Sequence, residues 1–528
     1  MRTAIFVVLG VAVTIALLLG ARFAFAPKPF QPYVTLRVGH GMSTTEAEAR
    51  VAVPLEREAM QLEGVSSVKT HVDASEVELT IETRPGVPID GVVFPAIQKL
   101  AAVETGAEVP EVRAVREKPL LTYLSLTSTE LSATQLHELA EKRIRYELLH
   151  APGVRDVEIC GPGAPGVMIT VDPARLTGAL SEVIDAIRTA NVAPKAGALD
   201  GAGRSFVVRG VGNTDVEGLR QLELGGGRRL GDVAEISEQS VDPPCIGHLN
   251  GFRSIGLLLR AAEPVPLPSA ATLPPSVKLQ SMTFDRVLHF GAEGSVMALE
   301  QKLSRMLREH PAVTDVSDEI RSAGAASVAT AYVALKKDSP RSLMKFPAPL
   351  PLLSVEGEDL REVLVTGADL DALIHAAGTV KEALEKQGFF VASTAAPIVP
   401  WTKIELDREA MARLSINTTE VTDTLRLITD RGMEVTSIYT QNEVRRVHLQ
   451  LPGHKLEDLA TIRVGKGVPL AAVAKVTMQS EAAWIDRRDG QRVITLQTDA
   501  KKAQLEEALK QVHLPAGVAV QVTSPGGR

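Results

Sequence analysis

"ITVDPARLTGALSEVIDAIRTANV" (residues 169–192) is echoed 235 residues later by "IELDREAMARLSINTTEVTDTLRLI" (residues 404–428). Each copy reads as a strand ending on Asp, a short helix, a polar turn and a longer amphipathic helix, so the repeated object is a supersecondary unit. Asp172 stands before Pro173, the order of a helix N-cap and its first residue, and Asp407 takes the equivalent place. Both acids are therefore read as helix starters and not as catalytic carboxylates.

The echo runs on at nearly constant offset. "LRQLELGGGRRLGDVAEISEQS" from Leu219 is answered by "LEDLATIRVGKGVPLAAVAKVTMQS" from Leu456, and "LNGFRSIGLLLR" from Leu249 by "RDGQRVITLQTD" from Arg488. Asn250-Gly251 and Asp489-Gly490 are two-residue hairpin signals, since both residues tolerate the positive φ that such turns demand. A finer pattern lies inside each half. "LEREAMQLEGVSSVKTHV", "AEKRIRYELLHAPGVRDVEI", "LSRMLREHPAVTDVSDEI" and "VKEALEKQGFFVAS" each give an amphipathic helix, a stop and a strand. Ser43 with Glu46, Ser132 with Gln135 and Asn417 with Glu420 have capping-box spacing. These units predict an α+β fold made of two duplicated halves, each with two split βαβ (ferredoxin-like) subdomains and a hairpin insert. A doubly wound sheet is disfavoured because no Gly-rich phosphate loop joins strand to helix.

Composition narrows the function. The chain has 528 residues, 45% of them hydrophobic, enough for several cores. A net charge of -7 and the lack of a basic stripe argue against a nucleic-acid partner, and 4% aromatics leave few stacking platforms. Cys160 and Cys245 are too few for a disulfide framework and lie in no metal-type spacing; they are read as packing residues, with a single bridge as the alternative. Met411, Met433 and Met478 are scattered, so no metal site is assigned, and no cofactor is implied. Nucleophile, zinc, P-loop and dinucleotide signatures are all missing and the eleven His are dispersed, which disfavours an enzyme. Ala4–Ala21 is an unbroken apolar or small run, about 27 Å long as a helix, long enough to approach the thickness of a bilayer core. It is read as an uncleaved membrane anchor, with a signal peptide cut after Ala24-Phe25-Ala26 as the alternative; either reading exports the remainder.

The order "YVTLRVGHGMSTTEAEARVAVPLEREAMQLEGVSSVKTHV", "GVRDVEICG", "ITVDPARL", "RRLGDVAEI" and "LNGFRSIGLLLR" resembles the N-terminal periplasmic half of a resistance-nodulation-division (RND) efflux permease. "LEQKLSRMLREHPAVTDVSDEI", "AYVALKKDSPR", "IELDREAMARLSI" and "VPLAAVAKV" resemble the second periplasmic half. The resemblance implies an anchor or signal at 1–26, porter subdomains at 34–118, 119–262, 287–355 and 356–528, a linker and closing strand at 263–286, and docking inserts near 200–240 and 433–480. It also implies an inner-membrane, single-pass protein with its bulk in the periplasm. Such permeases carry two six-helix membrane bundles with a proton relay, whereas here one porter half leads directly into the next, so no residue is assigned to a relay. The resemblance places Tyr123 and Cys160 at substrate-pocket positions and the pocket-separating loop at Ser322, Gly324 and Ser327. Its implied partners are a polytopic RND permease subunit and a periplasmic adaptor. The short stretch "ALDGAGRSFVVRG", in place of a long interlocking arm, implies a weak homotrimer. Transport of small molecules is the expected role, with a non-transporting envelope scaffold as the alternative.

Overall fold

"EVELTIET" (Glu76–Thr83) shows how the sheets are built: Val77, Leu79, Ile81 and Thr83 are buried while the residues between them are only half-buried. That period of two seats one face of a strand against helices and leaves the other free. The computed structural model describes residues 30–162, 165–172, 175–176, 180–190, 195–201, 204–209, 215–224, 227–240, 245–265, 273–337, 350–357, 360–428, 432–439, 444–451, 456–465 and 467–523. The expected span Ala4–Ala21 lies outside them. Among the described residues no helix is long and apolar enough to cross a membrane.

In chain order the first strands are β1 (Tyr33–Gly39), β2 (Val65–Val72), β3 (Glu76–Thr83), β4 (Glu111–Val115), β5 (Leu120–Ser128), β6 (Val154–Cys160) and β7 (Pro165–Val171). The hairpin β8 (Lys195–Gly201) and β9 (Arg204–Arg209) follows, then β10 (Ala234–Ser240), β11 (Cys245–Leu249), β12 (Phe252–Ala261), β13 (Val277–Met282) and β14 (Arg286–Glu293). Next come β15 (Val313–Ala323), β16 (Ala326–Leu335), β17 (Leu352–Glu356), β18 (Arg361–Gly367), β19 (Val391–Ser393), β20 (Ile398–Leu406), β21 (Met433–Tyr439) and β22 (Val444–Gln450). Two short strands, β23 (Arg463–Val464) and β24 (Val468–Pro469), precede β25 (Ala474–Ala482), β26 (Ile485–Arg488), β27 (Gln491–Thr498) and β28 (Val518–Val522).

The sheets expected for separate subdomains do not stand alone. One nine-stranded sheet runs β28-β18-β27-β26-β2-β3-β1-β4, with β19 beside β27; a second runs β13-β5-β12-β11-β15-β16-β14-β17, with β6 beside β12. Each is antiparallel; the first joins strands from the two ends of the chain, the second strands from its middle, Leu120 to Glu356. A free strand edge is a row of unpaired amides and carbonyls, and pairing β2 with β26 and β11 with β15 removes that edge. A third, four-stranded sheet, β10-β7-β22-β21, again mixes early and late strands, with β7 parallel to β22.

Helices cover these sheets. Val53–Met60 and Asp90–Leu100 share a core with β1 to β3, and Val296–Glu309 seals β14 to β16 with Leu299, Leu303 and Leu307. Asn250-Gly251 (φ 51° and 81°) and Asp489-Gly490 (φ 50° and 84°) make the tight turns of β11–β12 and β26–β27. Ser132–Gln135 and Asn417–Glu420 form full capping boxes, while Ser43 Oγ accepts the Glu46 amide. Asp407 Oδ1 accepts the Ala410 amide at 2.9 Å as N-cap of Arg408–Leu414. Asp172 accepts the Arg175 and Leu176 amides through its carbonyl; Pro173 and Ala174 lie outside the described residues.

The junction of the first sheet carries a buried ion network. Arg487 of β26 holds Glu56 at 2.9 and 3.0 Å and Glu48 at 2.6 Å, and Arg492 of β27 adds a bidentate contact to Glu48. Arg487 is 8% exposed and Glu56 2%, so removing one partner strands the other in the core. Arg487→Met is expected to destabilise the chain by about 3–5 kcal/mol, read as a lowered urea midpoint. Arg50→Ala, which removes the solvent-exposed pair with Glu46, is the control and is expected to cost under about 1 kcal/mol.

Candidate functional site

Alternation in β15 sends Ser317, Glu319 and Arg321 to one face and Asp318 to the other. The first face is concave. Ser125 Oγ of β5 comes within 3.2 Å of Ser317 Oγ of β15, although β12 and β11 lie between these strands in the sheet, so the sheet curls over itself. Tyr123 of β5 stacks on Tyr332 of β16 with ring centroids 4.5 Å apart, and Phe284 closes on Tyr332 at 5.1 Å. Leu258, Met282 and Val287 complete the apolar wall.

Inside this curl two buried polar atoms meet each other. Tyr123 is 0% exposed and Glu319 5%, and Tyr123 Oη and Glu319 Oε1 find no hydrogen-bond partner beyond one another. They converge over Gly256: a Cβ there would lie 2.0 Å from Tyr123 Oη and 3.1 Å from Glu319 Oε1. Only glycine fits. The other carboxylate oxygen, Glu319 Oε2, accepts from Arg321 Nη2 at 3.2 Å. Arg321 also holds Glu158 at 2.8 Å, and Arg260 bridges Glu158 and Asp156 at 3.1 and 3.2 Å. Burial raises the Glu319 pKa to about 7, against the pull of the Arg321 charge and helped by Glu158. Burial likewise pushes the Tyr123 phenol well above its usual value.

On the opposite face His248 is clamped between Asp318 and Glu300, both at 2.9 Å, and Arg253 holds Glu300. Burial works against charge on this imidazole, but the two carboxylates outweigh it and raise its pKa. Every ring nitrogen here is occupied, so this cluster is a filled lock between β11, β15 and the helix Val296–Glu309.

Tyr123 and Cys160 both border Glu319, whereas Ser322, Gly324 and Ser327 lie apart from them. Ser322 pairs with Ser327 across the β15–β16 hairpin, and Gly324, at φ 65°, makes its turn against Ala74. Ser327 Oγ donates to the Gly294 carbonyl at 2.7 Å. Five residues of strand separate Ser327 from Tyr332, about 17 Å along the ladder. The packing reading of the cysteines is corrected: Cys160 of β6 and Cys245 of β11 form a disulfide. Both strands lie along the same flank of β12, which brings together residues 85 apart in sequence. Met411 and Met433 are buried in different cores and Met478 is 60% exposed. Sequence reasoning missed Glu319, Arg321, Glu158 and Tyr332. The available signal was charge inside a Val-rich strand, "VTDVSDEIRSA", since acids are seldom buried without a purpose.

The sheet-rich α+β fold resembles the porter domains of RND pumps, and the comparisons with known proteins agree. The profile of the AcrB/AcrD/AcrF family matches residues 7–264 and 325–525, and the chain belongs to that family, within the RND permeases. Multidrug resistance protein MdtC of Edwardsiella ictaluri (strain 93-146) is 28% identical over 273 residues, 48% of this chain and 26% of that protein. MdtC of Escherichia coli O7:K1 (strain IAI39 / ExPEC) is 25% identical over 274 residues, again 48% and 26%. The match therefore spans about a quarter of the length of these relatives. Crystal structures of a heavy metal efflux pump share the fold. Form II has a TM-score of 0.77 at 14% identity, covering 94% of this chain and 79% of that one; form I has 0.74 at 15%, covering 98% and 83%.

The Glu319 carboxyl keeps its proton in the folded chain across a range where the unfolded chain releases it. Its contribution to stability is therefore full below about pH 4.3, falls as the pH rises to about 7, and is flat above that. Glu319→Gln removes the titration. Its stability relative to wild type is expected to rise by about 3 kcal/mol between about pH 4 and about pH 8, measured by urea denaturation at each pH.

Proposed function

We propose that this chain is the periplasmic porter and docking region of an RND-type export system for small molecules, anchored in the inner membrane by Ala4–Ala21 and moved by a separate proton-coupled subunit. The two echoing phrases are then two copies of one duplicated porter half. The observation that carries the reading is internal to the chain. Only residues 265–324 separate the two stretches matched by the family profile. Residues 273–324 are occupied by β13, β14, the helix Val296–Glu309 and β15, strands of the second nine-stranded sheet and its cover. The seven residues 266–272 are too few for one membrane-crossing helix, which needs about 20. No bundle of the permease kind fits between the porter halves.

Coupling to a proton gradient needs an ionisable group at membrane depth whose protonation biases a two-state element. Ala4–Ala21 has none; its most polar residue is Thr14. A polytopic RND permease subunit would supply that group and a periplasmic adaptor the exit. The hairpin β8–β9 makes a short arm, so self-association as a trimer is weak. A second reading, a non-transporting envelope scaffold, draws on the stacked Tyr123 and Tyr332, which fill the curl with side chains of the chain itself.

Accumulation of a fluorescent substrate in cells lacking other pumps separates these readings. The chain alone is expected to give no protonophore-sensitive efflux, and efflux is expected to appear with an accompanying RND permease and vanish when that permease's relay is disabled. Efflux by the chain alone would contradict the proposal. Indifference of a genuine partner pump to its presence would favour the scaffold.

A further inference from the structure

We propose that Cys160, Cys245 and Glu319 form, once their disulfide is reduced, a binding site for a thiophilic divalent metal ion of the Zn2+ or Cd2+ class. The ligand atoms are already assembled: the two Sγ atoms and a Glu319 carboxylate oxygen lie within 4.8 Å of one another. The backbone holds them there independently of the bridge. Cys160 pairs with Gly256 of β12, Gly247 of β11 pairs with Ser254 of β12, and Glu319 of β15 stands opposite Gly247. The Cα atoms of the two cysteines are 5.2 Å apart, set by these ladders, so the freed thiols still face each other.

A second, independent feature points to a ligand. Glu319 Oε1 is buried with no partner beyond the Tyr123 phenol, while its other oxygen is fixed by Arg321, the outer arrangement that orients a metal-binding carboxylate. Tyr123 Oη lies beside it over Gly256. Gly247 and Gly256 put no side chain into this space. Two thiolates and one carboxylate suit Zn2+ or Cd2+ and exclude Mg2+ or Ca2+, which take oxygen ligands.

The chemistry balances with a thiol reductant. Two equivalents of thiol, RSH, deliver two electrons and two protons to the Cys160–Cys245 bond and leave as RSSR; the ion then displaces the two thiol protons and any proton held by Glu319. Cys245 is only partly buried and is the sulfur an attacking thiolate reaches first, with Cys160, fully buried, as the leaving group.

The test is a Cd2+ titration of the purified full chain after phosphine reduction, read by ultraviolet sulfur-to-cadmium charge-transfer absorbance. One Cd2+ per chain is expected for the reduced protein and none for the oxidised protein or the Cys160→Ser/Cys245→Ser variant. Glu319→Gln is expected to keep the absorbance but weaken affinity at least ~10-fold, measured against a competing chelator. Equal affinity in Glu319→Gln, or no absorbance in a reduced chain whose far-ultraviolet circular dichroism is unchanged, would overturn the site. So would loss of fold in the double-serine variant, because the site requires strands that hold without the bridge. The assay measures binding alone, so its outcome is separable from that of the transport experiment.

Discussion

Two strand pairings hold the molecule together: β2 with β26, from Val72 opposite Ile485 to Lys69 opposite Arg488, and β11 with β15, from Cys245 opposite Arg321 to Leu249 opposite Ser317. Each converts two small sheets into one of nine strands. The other buried features depend on them. Arg487 reaches Glu48 and Glu56 only because β26 is seated beside β2, and Glu319 meets the cysteines only because β11 links β12 to β15. His71 and Asp486, opposite each other in the first junction and 2.7 Å apart, reinforce it from the partly exposed face.

The two junctions treat buried charge differently. In the first, Arg487 donates to both acids and to the Gly490 carbonyl, and Arg492 donates to Glu48 and the Ala368 carbonyl. A paired network of this kind specifies one docking arrangement and leaves little to react. The second contains the complete His248 lock on its outer face and, on the concave face, the Glu319 carboxylate and the Tyr123 phenol, which face each other. A buried carboxylate with so few partners costs free energy, and burial raises the Glu319 pKa accordingly.

Local physics was legible in the sequence. The Asn250-Gly251 and Asp489-Gly490 turns, the Ser132 and Asn417 capping boxes and the Asp407 N-cap all follow from side chains a few residues apart, and the structure contains each of them. Tyr123 and Cys160 were reached only through resemblance. What pairwise spacing does not encode is which edge meets which: β2 and β26 are separated by most of the chain, and nothing in "VSSVKTHV" names its partner. The disulfide was obscured for the same reason, since its geometry comes from β12 lying beside both β6 and β11. Ser322, Gly324 and Ser327, placed by the same resemblance, form a hairpin with a two-residue turn, with Ser327 tied to the Gly294 carbonyl.

If the cross-chain ladders are the organising constraint, the mechanical units of the molecule are the two fused sheets and not the two halves of the sequence. Native-state hydrogen exchange of the full chain under increasing denaturant measures this directly. Amides of β2, β3, β26 and β27 are predicted to open together, and those of β11, β12, β15 and β16 together at a different denaturant concentration, because strands in one ladder share one opening event. Exchange that instead groups residues 30–262 against residues 287–523 would contradict the account.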